Sequence, residues 1–432
     1  MARVHLKVQS TSDWATLTLA GVVIAARNGT STGTMTATGQ STGWSFHGSG
    51  TFDADVVFAV TPKDLVVTTA KGNVGTASVT ITRPGTSTPL LSTVDNLSGG
   101  SANPNNVLTA TATRNQLQAA VVPDAALPRG DDRRLTLAFA YPWFTDYSNS
   151  GMAEKPAQPR SWASADGVLS MTQQAKANGI DGFVMSFAGE TNSGAALDRV
   201  LAAAHATGSV VAPYLETSMA VHDAATLRTD PVAKTEQWLQ SALLRGGDSA
   251  FLKVRGVPIV FVYAADSLTS AQWSAIRADL AAAGTQVDLV GDATAPAYAP
   301  YFGGLHSYAA TDDTATLAKR IQWNSVVQRA QSVLDGTTTP PLTVATVSPG
   351  YNDTALRGSA NPVVSRDGGQ RYADTWSAAL SGAPDWVVVT SWNEWFEGTN
   401  IEPGTVTGGL ALDQTNQLAT AWRSTGTASN IR

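Results

Sequence analysis

Cysteine is missing from all 432 residues. That rules out disulfides, thiolate metal ligands and a cysteine nucleophile, but it does not fix a compartment. Histidine is scarce. The five, at positions 5, 47, 205, 222 and 306, fall in no HExxH or other ligand spacing, so no histidine-built metal site is expected, nor any metal or cofactor. Charge is thin as well, at 14% of residues with a net of −6. Without a basic run to neutralise phosphates, no nucleic-acid partner is expected. No apolar run reaches the length of a membrane span. The opening "MARVHLKVQSTSDWATL" lacks the apolar centre of a secretory signal, so the route to any external target stays open.

Hydrophobic residues make up 43% of the chain, enough for real cores, and the length implies two domains. The first stretch is rich in Thr, Ser, Gly and Val. "DWATLTLAGVVIAA", "GTMTATG", "GWSFHGSGTF", "DVVFAVTP" and "ASVTITRP" spell short strands, and Asn-Gly in "RNGT" marks a hairpin. An all-β sandwich over residues 1–92 is expected, with Trp14 and Trp44 in its core. A polar linker and irregular lead-in would follow over 93–134.

From Leu135 the rhythm changes. "LTLAFAYPW", "IDGFVMSF", "VVAPYLE", "VPIVFVYA", "QVDLVGDA", "GGLHSYAA", "LTVATVSPG" and "WVVVTSWNEW" are apolar strand segments separated by amphipathic helices. Such alternation means parallel strands covered by helices. Eight of them over 135–432 predict an α/β fold of the (β/α)8 TIM-barrel type. The rival is a doubly wound open sheet; its nucleotide-binding version would carry a Gly-rich phosphate loop after a strand, and none is present.

In such a barrel, active sites form at the C-terminal ends of the strands. The first strand end offers Tyr141, Trp143, Asp146 and Tyr147, the second Ser186 and Glu190, the third Tyr214 and Glu216. The fourth offers Tyr263, the fifth Asp292, the sixth His306 and Tyr308, and the seventh Tyr351, Asn352 and Asp353. The last offers Trp392, Asn393, Glu394, Trp395 and Glu397. Rings that stack on the C–H faces of sugars, beside carboxylates that grip hydroxyls and with no cluster of cations, make a sugar-binding surface. Tyr141, Trp143, Tyr214, Glu216, Tyr263, Asp292, His306, Tyr308, Tyr351, Trp392, Asn393 and Trp395 are its expected members. His306 is equally well a packed strand-end side chain. Asp181 is expected to shape a helix-to-strand turn.

Glycoside hydrolysis usually needs two carboxyl groups held in different environments. Within "TSWNEWFEGTNIEP" (390–403), Glu394 and Glu397 stand three residues apart. On a regular strand they would point to opposite faces. In a turn leaving the strand they converge, and Gly398-Thr399 favours such a turn, with the strand ending near 393–395. Both are expected to be catalytic, and Glu402 structural.

This segment resembles the hallmark of glycoside hydrolase family 99, the endo-acting α-mannosidases and α-mannanases. "AYPWF" (140–144), "AKANGIDGFVMSFAG" (175–189), "VAPYLE" (211–216), "GVPIVFVY" (256–263) and "RDGGQRYADTWSAAL" (366–380) follow the same pattern in order. Family 71 α-1,3-glucanases and WbsX-like proteins are related barrels. The resemblance implies a retaining reaction without a metal. Glu394 would act as base on the substrate's own 2-hydroxyl, giving a 1,2-anhydro sugar, and Glu397 as acid and then base. Phe396 stands where the family usually has His, and the loop "FTDYSNSGMAEKPAQPRSW" departs from the family's usual continuation.

The expected function is therefore endo-acting cleavage of an α-mannan-type polysaccharide. The alternatives are hydrolysis of another α-glycan, such as α-1,3-glucan or an actinobacterial envelope polymer, or glycan binding without catalysis. Retention of both glutamates weighs against the last. The partner is a poly- or oligosaccharide. The N-terminal domain would target glycan or dock on a larger assembly. Action outside the cell is expected, by a secreted or virion-borne protein such as a phage tail depolymerase.

Overall fold

The computed structural model describes residues 2–10, 15–20, 23–28, 43–47, 50–58, 65–71, 75–83, 86–97, 107–113, 116 and 130–425, apart from 309, 336–340 and 361. The chain divides into two compact units, one of Met1–Pro128 with Val326–Pro341 and one of Arg129–Ser325 with Leu342–Arg432.

The first unit holds two antiparallel sheets. One orders Val23–Asn28, Gly50–Phe58, Ala2–Ser10, Gly75–Thr82 and Pro89–Leu97; the other orders Gly43–His47, Ala15–Ala20, Leu65–Lys71 and Val107–Ala112. Strand Ala2–Ser10 alternates as a half-buried strand must. Val4, Leu6 and Val8 are buried, while Arg3, His5 and Lys7 pair with Asp53 and Asp55 of the adjacent strand. Strands continue past residue 92, so the stretch expected as linker from 93 supplies the end of one strand and, at Val107–Ala112, all of another. Its Ser and Asn suggested a loop, but "VLTATA" is rich in β-branched residues that suit a pleated surface. The Asn28-Gly29 turn, the "GTMTATG" segment, Trp14 and the side chain of Trp44 lie outside the described residues.

The second unit is a closed barrel of eight parallel strands: β1 (Leu135–Ala140), β2 (Gly182–Phe187), β3 (Val210–Glu216), β4 (Val257–Tyr263), β5 (Asp288–Asp292), β6 (Gly304–His306), β7 (Leu342–Val347) and β8 (Trp386–Val389). Each pairs with the next, and β8 pairs with β1. The residues of β2, β7 and β8 are buried throughout, as continuous apolar strands covered on both faces must be.

Local chemistry sets the helix ends. α1 (Ala165–Ala177) starts at Ser164, whose hydroxyl accepts from the Gly167 N–H. α2 (Ala195–Thr207) stops at Gly208 in the left-handed region (φ 65°), where a residue without Cβ is unstrained. α3 (Thr217–Leu227) follows β3 directly. α4 (Pro231–Leu243) has Asp230 as N-cap and proline in its first turn, and α5 (Ser270–Ala282) opens with a Thr269–Gln272 capping box. Asp181 accepts from the Thr136 N–H and from Arg423, joining the start of β1 to the final helix. No described helix is long and apolar enough to cross a membrane.

Candidate active site

β8 ends at Val389, several residues before the expected 393–395. The chain then closes on itself. The Ser391 N–H donates to the Thr399 carbonyl at 2.9 Å, their hydroxyls meet at 2.8 Å, and the Glu394 N–H donates to the Ser391 hydroxyl at 2.8 Å. Those bonds hold 391–399 as a compact loop, and Gly398, at φ 59°, makes its return. A Cβ there would stand 3.1 Å from the Asn352 carbonyl oxygen, so the close approach needs glycine. Asn393 ties this loop to the end of β1: its Oδ1 accepts from the Tyr141 N–H and its Nδ2 donates to the Tyr141 carbonyl, both at 2.8 Å.

This loop turns Glu394 and Glu397 into one pocket of about 170 Å³, lined also by Tyr141, Trp143, Glu216, Tyr263 and Tyr308, with Leu356, Arg357 and Phe396 at its side. Trp143, 44% exposed, offers its ring at the mouth. Tyr141 packs beneath it with ring centroids 4.7 Å apart. A hydroxyl chain runs across the floor: Tyr141 donates to Tyr308 at 2.8 Å, and Tyr308 donates to Oε2 of Glu397 at 3.2 Å. Arg357 reaches Oε1 of Glu397 at 3.4 Å and Oδ2 of Asp353 at 3.0 Å.

The electrostatics separate the carboxyls. Burial, and then the charge of Glu397, push Glu394 well above the usual carboxylate range, against one opposing bond from the Phe396 N–H. Burial also raises Glu397, but Arg357 and the Tyr308 hydroxyl favour its ionised form. Burial lifts Glu216 to about 7, although Ser186 donates to its Oε1 at 2.6 Å. Two like charges in one desolvated pocket resist joint ionisation, so a proton is held there, and Glu394 carries the stronger push to keep it. Burial raises the phenols too, Tyr141 and Tyr308 strongly and Tyr263 to about 12. All three stay neutral hydroxyls, able to donate to and accept from a sugar.

Several expected members sit elsewhere. Asp292 spends its oxygens on the backbone, accepting from the Tyr308 N–H at 3.0 Å and the Ala264 N–H at 3.4 Å. It places Tyr308 and does not face the pocket. His306 is fully buried among the rings of Phe139, Tyr214 and Phe261, and burial drops it to about 3. Tyr214 lies in the same layer, stacked on Phe139 at 4.5 Å. Trp392 and Trp395 are fully buried and serve as core, not as platforms. Asn393 positions, as described. Tyr351 bonds Asp353 and lines a neighbouring groove. Glu190 pairs with Arg245. Glu402 is buried against Arg160 at 2.6 Å, a structural contact. Arg357 and Leu356 were missed by sequence reasoning; the available signal was that Arg357 follows Asp353 by four residues, one helical turn. Among the described residues no His, Cys, Asp or Glu side chains group to hold a metal ion.

Comparison with known proteins places the chain in a family. Residues 161–413 match the model of Glycosyl hydrolase family 99. A glycoprotein endo-alpha-1,2-mannosidase-like protein of Danio rerio is 33% identical over 102 residues, 23% of this chain and 22% of that protein. The glycoprotein endo-alpha-1,2-mannosidase of Rattus norvegicus is 31% identical over 102 residues, 23% of this chain and 21% of that protein. The alignments thus span about a fifth of these curated relatives. The solved GH99 endo-alpha-mannosidase from Bacteroides thetaiotaomicron, in complex with bis-tris-propane, superposes with a TM-score of 0.55 at 21% identity. The match covers 69% of this chain and 99% of that one, and it shows the shared fold. With more than half of its length matched by the family model, the chain belongs to glycosyl hydrolase family 99.

Proposed function

We propose that this protein is a retaining, endo-acting α-mannoside hydrolase that cleaves an α-mannan-type polysaccharide. One observation carries the assignment: Glu394 and Glu397 open into a single pocket at the barrel's C-terminal end, beneath the exposed Trp143 ring and beside three neutral phenols. The match to the family and the named activities of the relatives support the choice of an α-mannoside.

The steps follow from the residues. A sugar 2-hydroxyl that donates to Glu394 stabilises its carboxylate, and a glycosidic oxygen beside Glu397 accepts from that group. Substrate binding therefore moves the held proton from Glu394 to Glu397. Glu394 then takes the 2-hydroxyl proton as that oxygen attacks the anomeric carbon, while the bond to the leaving oxygen breaks and Glu397 protonates it. The 1,2-anhydro sugar is opened by water, whose proton goes to Glu397, and Glu394 returns its proton to the 2-oxygen. Two inversions at one carbon leave the configuration retained, in the substrate-assisted variant of the two-carboxylate scheme. In a manno-sugar the axial 2-hydroxyl lies anti to an α-linked leaving group, which suits this attack.

The test is product analysis after incubation with α-mannans of different linkage, a lipomannan and α-1,3-glucan, with Glu394→Gln and Glu397→Gln in parallel. Oligosaccharides from a mannan, initially in the α configuration by NMR and absent with either variant, support the proposal. Release from α-1,3-glucan alone overturns the choice of substrate, and initial β product overturns retention.

A further inference from the structure

A cavity of about 310 Å³ opens beside the end of β2 and shares no lining residue with the catalytic pocket. One wall is the loop 188–192 that leaves β2, the second is α3 through Asp223, and the third is α4. Lys234, Gln237, Trp238 and Ser241 stand at i, i+3, i+4 and i+7, so helical spacing puts them on one face of α4. The walls are fixed. Glu190 accepts from the Ser241 hydroxyl at 2.6 Å and from Arg245 at 2.7 Å, which ties the loop to α4 and the turn after it. Asn192 donates to the Ala188 carbonyl at 3.1 Å and the Ser193 hydroxyl accepts from the Ala188 N–H at 2.9 Å, which closes the loop on itself. Gly189, at φ 81°, passes so close to Trp238 that a Cβ would stand 2.6 Å from the indole Nε1.

Two charges on these walls are unspent. Glu190 is not one of them, because Arg245 and Ser241 hold its carboxyl at about 2. Asp223 and Lys234 are partly buried, and neither has an ion pair or a side-chain hydrogen bond among the described residues. Lys234 Nζ lies over the Trp238 ring, 5.7 Å from its centroid, a contact that keeps the ammonium at the cavity. The Trp238 Nε1–H has no acceptor among the described residues, and Asn192, whose Nδ2 is used, keeps its Oδ1 to accept. A neutral sugar ring would leave both charges without a counter-charge. An anion alone would meet Asp223, and a cation alone would meet Lys234. A ligand carrying both signs answers both.

We propose that this cavity binds a small zwitterion, with one ammonium and one carboxylate or phosphate a few bonds apart, as in a free amino acid or a phosphoethanolamine group. The ligand's anion accepts from Lys234 and the Trp238 Nε1–H, and its ammonium donates to Asp223 and the Asn192 Oδ1. The volume of about 310 Å³ is at the small end for ligand cavities and fits a molecule of this size. The site stands apart from Glu394 and Glu397, so the inference does not depend on which glycan the barrel cleaves.

The test is calorimetry on the full chain with glycine, O-phosphoethanolamine, acetate, ethylamine and mannose as separate probes. Glycine or phosphoethanolamine is expected to bind at least about 10-fold tighter than acetate or ethylamine, because each half alone leaves one wall charge unpaired. Lys234→Met and Asp223→Asn, shown folded by their melts, are each expected to weaken that binding about 10-fold or more. Glu397→Gln is expected to bind as the parent does, since the cavity shares no residue with the catalytic pocket. Binding of glycine alone names a free amino acid as the ligand, and binding of phosphoethanolamine alone names a phosphate-bearing group; either supports the proposal. No zwitterion binding up to about 10 mM overturns it. So do acetate binding as tight as the zwitterions, unchanged affinity in both wall variants, and loss of binding in Glu397→Gln. Mannose binding that Lys234→Met and Asp223→Asn abolish would overturn it too, by making the cavity a sugar site.

Discussion

The Tyr308 hydroxyl donates to Oε2 of Glu397 at 3.2 Å, and Asp292 holds the Tyr308 backbone N–H at 3.0 Å from behind. A phenol fixed at both ends favours the carboxylate form of the group beside it, because a donated hydrogen bond stabilises negative charge. Tyr308 also accepts from Tyr141 at 2.8 Å, which polarises the bond it gives.

Tyr308→Phe removes that bond and leaves the Tyr141 hydroxyl without its acceptor. The Glu397 carboxyl then rises further, since one of its opposing influences is gone. The basic limb of the kcat/KM profile, which reports loss of the acid's proton, is expected to move to higher pH. Activity at the optimum is expected to fall about 100-fold, the lower end of what one positioned donor contributes. The pH–rate profile on an α-mannan decides this; a limb that stays in place shows that Tyr308 does not tune Glu397.

Arg357 opposes the rise of Glu397 more strongly than Tyr308 does, being the first of its lowering influences. Arg357→Gln is therefore expected to move the basic limb upward by more than Tyr308→Phe. The guanidinium side chain is 45% exposed, so salt screens part of its field. Raising ionic strength should shift the parent's limb in the same direction and have little effect on the variant. Matched salt responses in the two proteins would remove Arg357 from the account.

The barrel was legible because its signal is coarse: apolar strands separated by amphipathic helices fix parallel pairing whatever the loops do. The pocket was partly legible because it forms where strands end, and Tyr141, Trp143, Glu216, Tyr263, Tyr308, Glu394 and Glu397 all line it. Sequence does not tell which way a strand-end side chain turns. Trp392 and Trp395 flank Glu394 and Glu397 in sequence, yet the tight 391–399 loop sends both rings into the core. Asp292 was misplaced for a related reason, because its oxygens were claimed by backbone N–H groups of β4 and β6 loops that no local pattern identifies. Arg357 was invisible because it reaches the pocket from a short helix, Thr354–Arg357, inside a loop.

His306 provides a check on packing against ligand binding. It sits in a layer of rings below the pocket, neutral because burial holds it near 3. His306→Phe keeps a ring of similar size there and removes two buried polar atoms. Stability is expected to change by less than about 1.5 kcal/mol, as for volume-conserving core swaps, and kcat/KM by less than about threefold. Denaturant melts and initial rates give both numbers. A loss of activity of 100-fold or more with the fold intact would make His306 part of the site after all.

Glu216 links the pocket to stability. Its folded value, about 7, lies above the 4.5 usual for an exposed glutamate. The native state therefore holds a proton that the unfolded chain has released between those two values, and stability falls as pH rises through that window. The favourable contribution is complete below about 4.5 and is lost by about 7. At 1.36 kcal/mol per unit the loss is on the order of 3 kcal/mol. Glu216→Gln keeps the oxygen that accepts from Ser186 but cannot ionise. Comparing melts of the two proteins at pH 5 and pH 8 isolates the effect: the parent should lose more stability than the variant over that interval. Equal losses would mean that Glu216 is already ionised at pH 5, in which case its burial is relieved by solvent in the pocket.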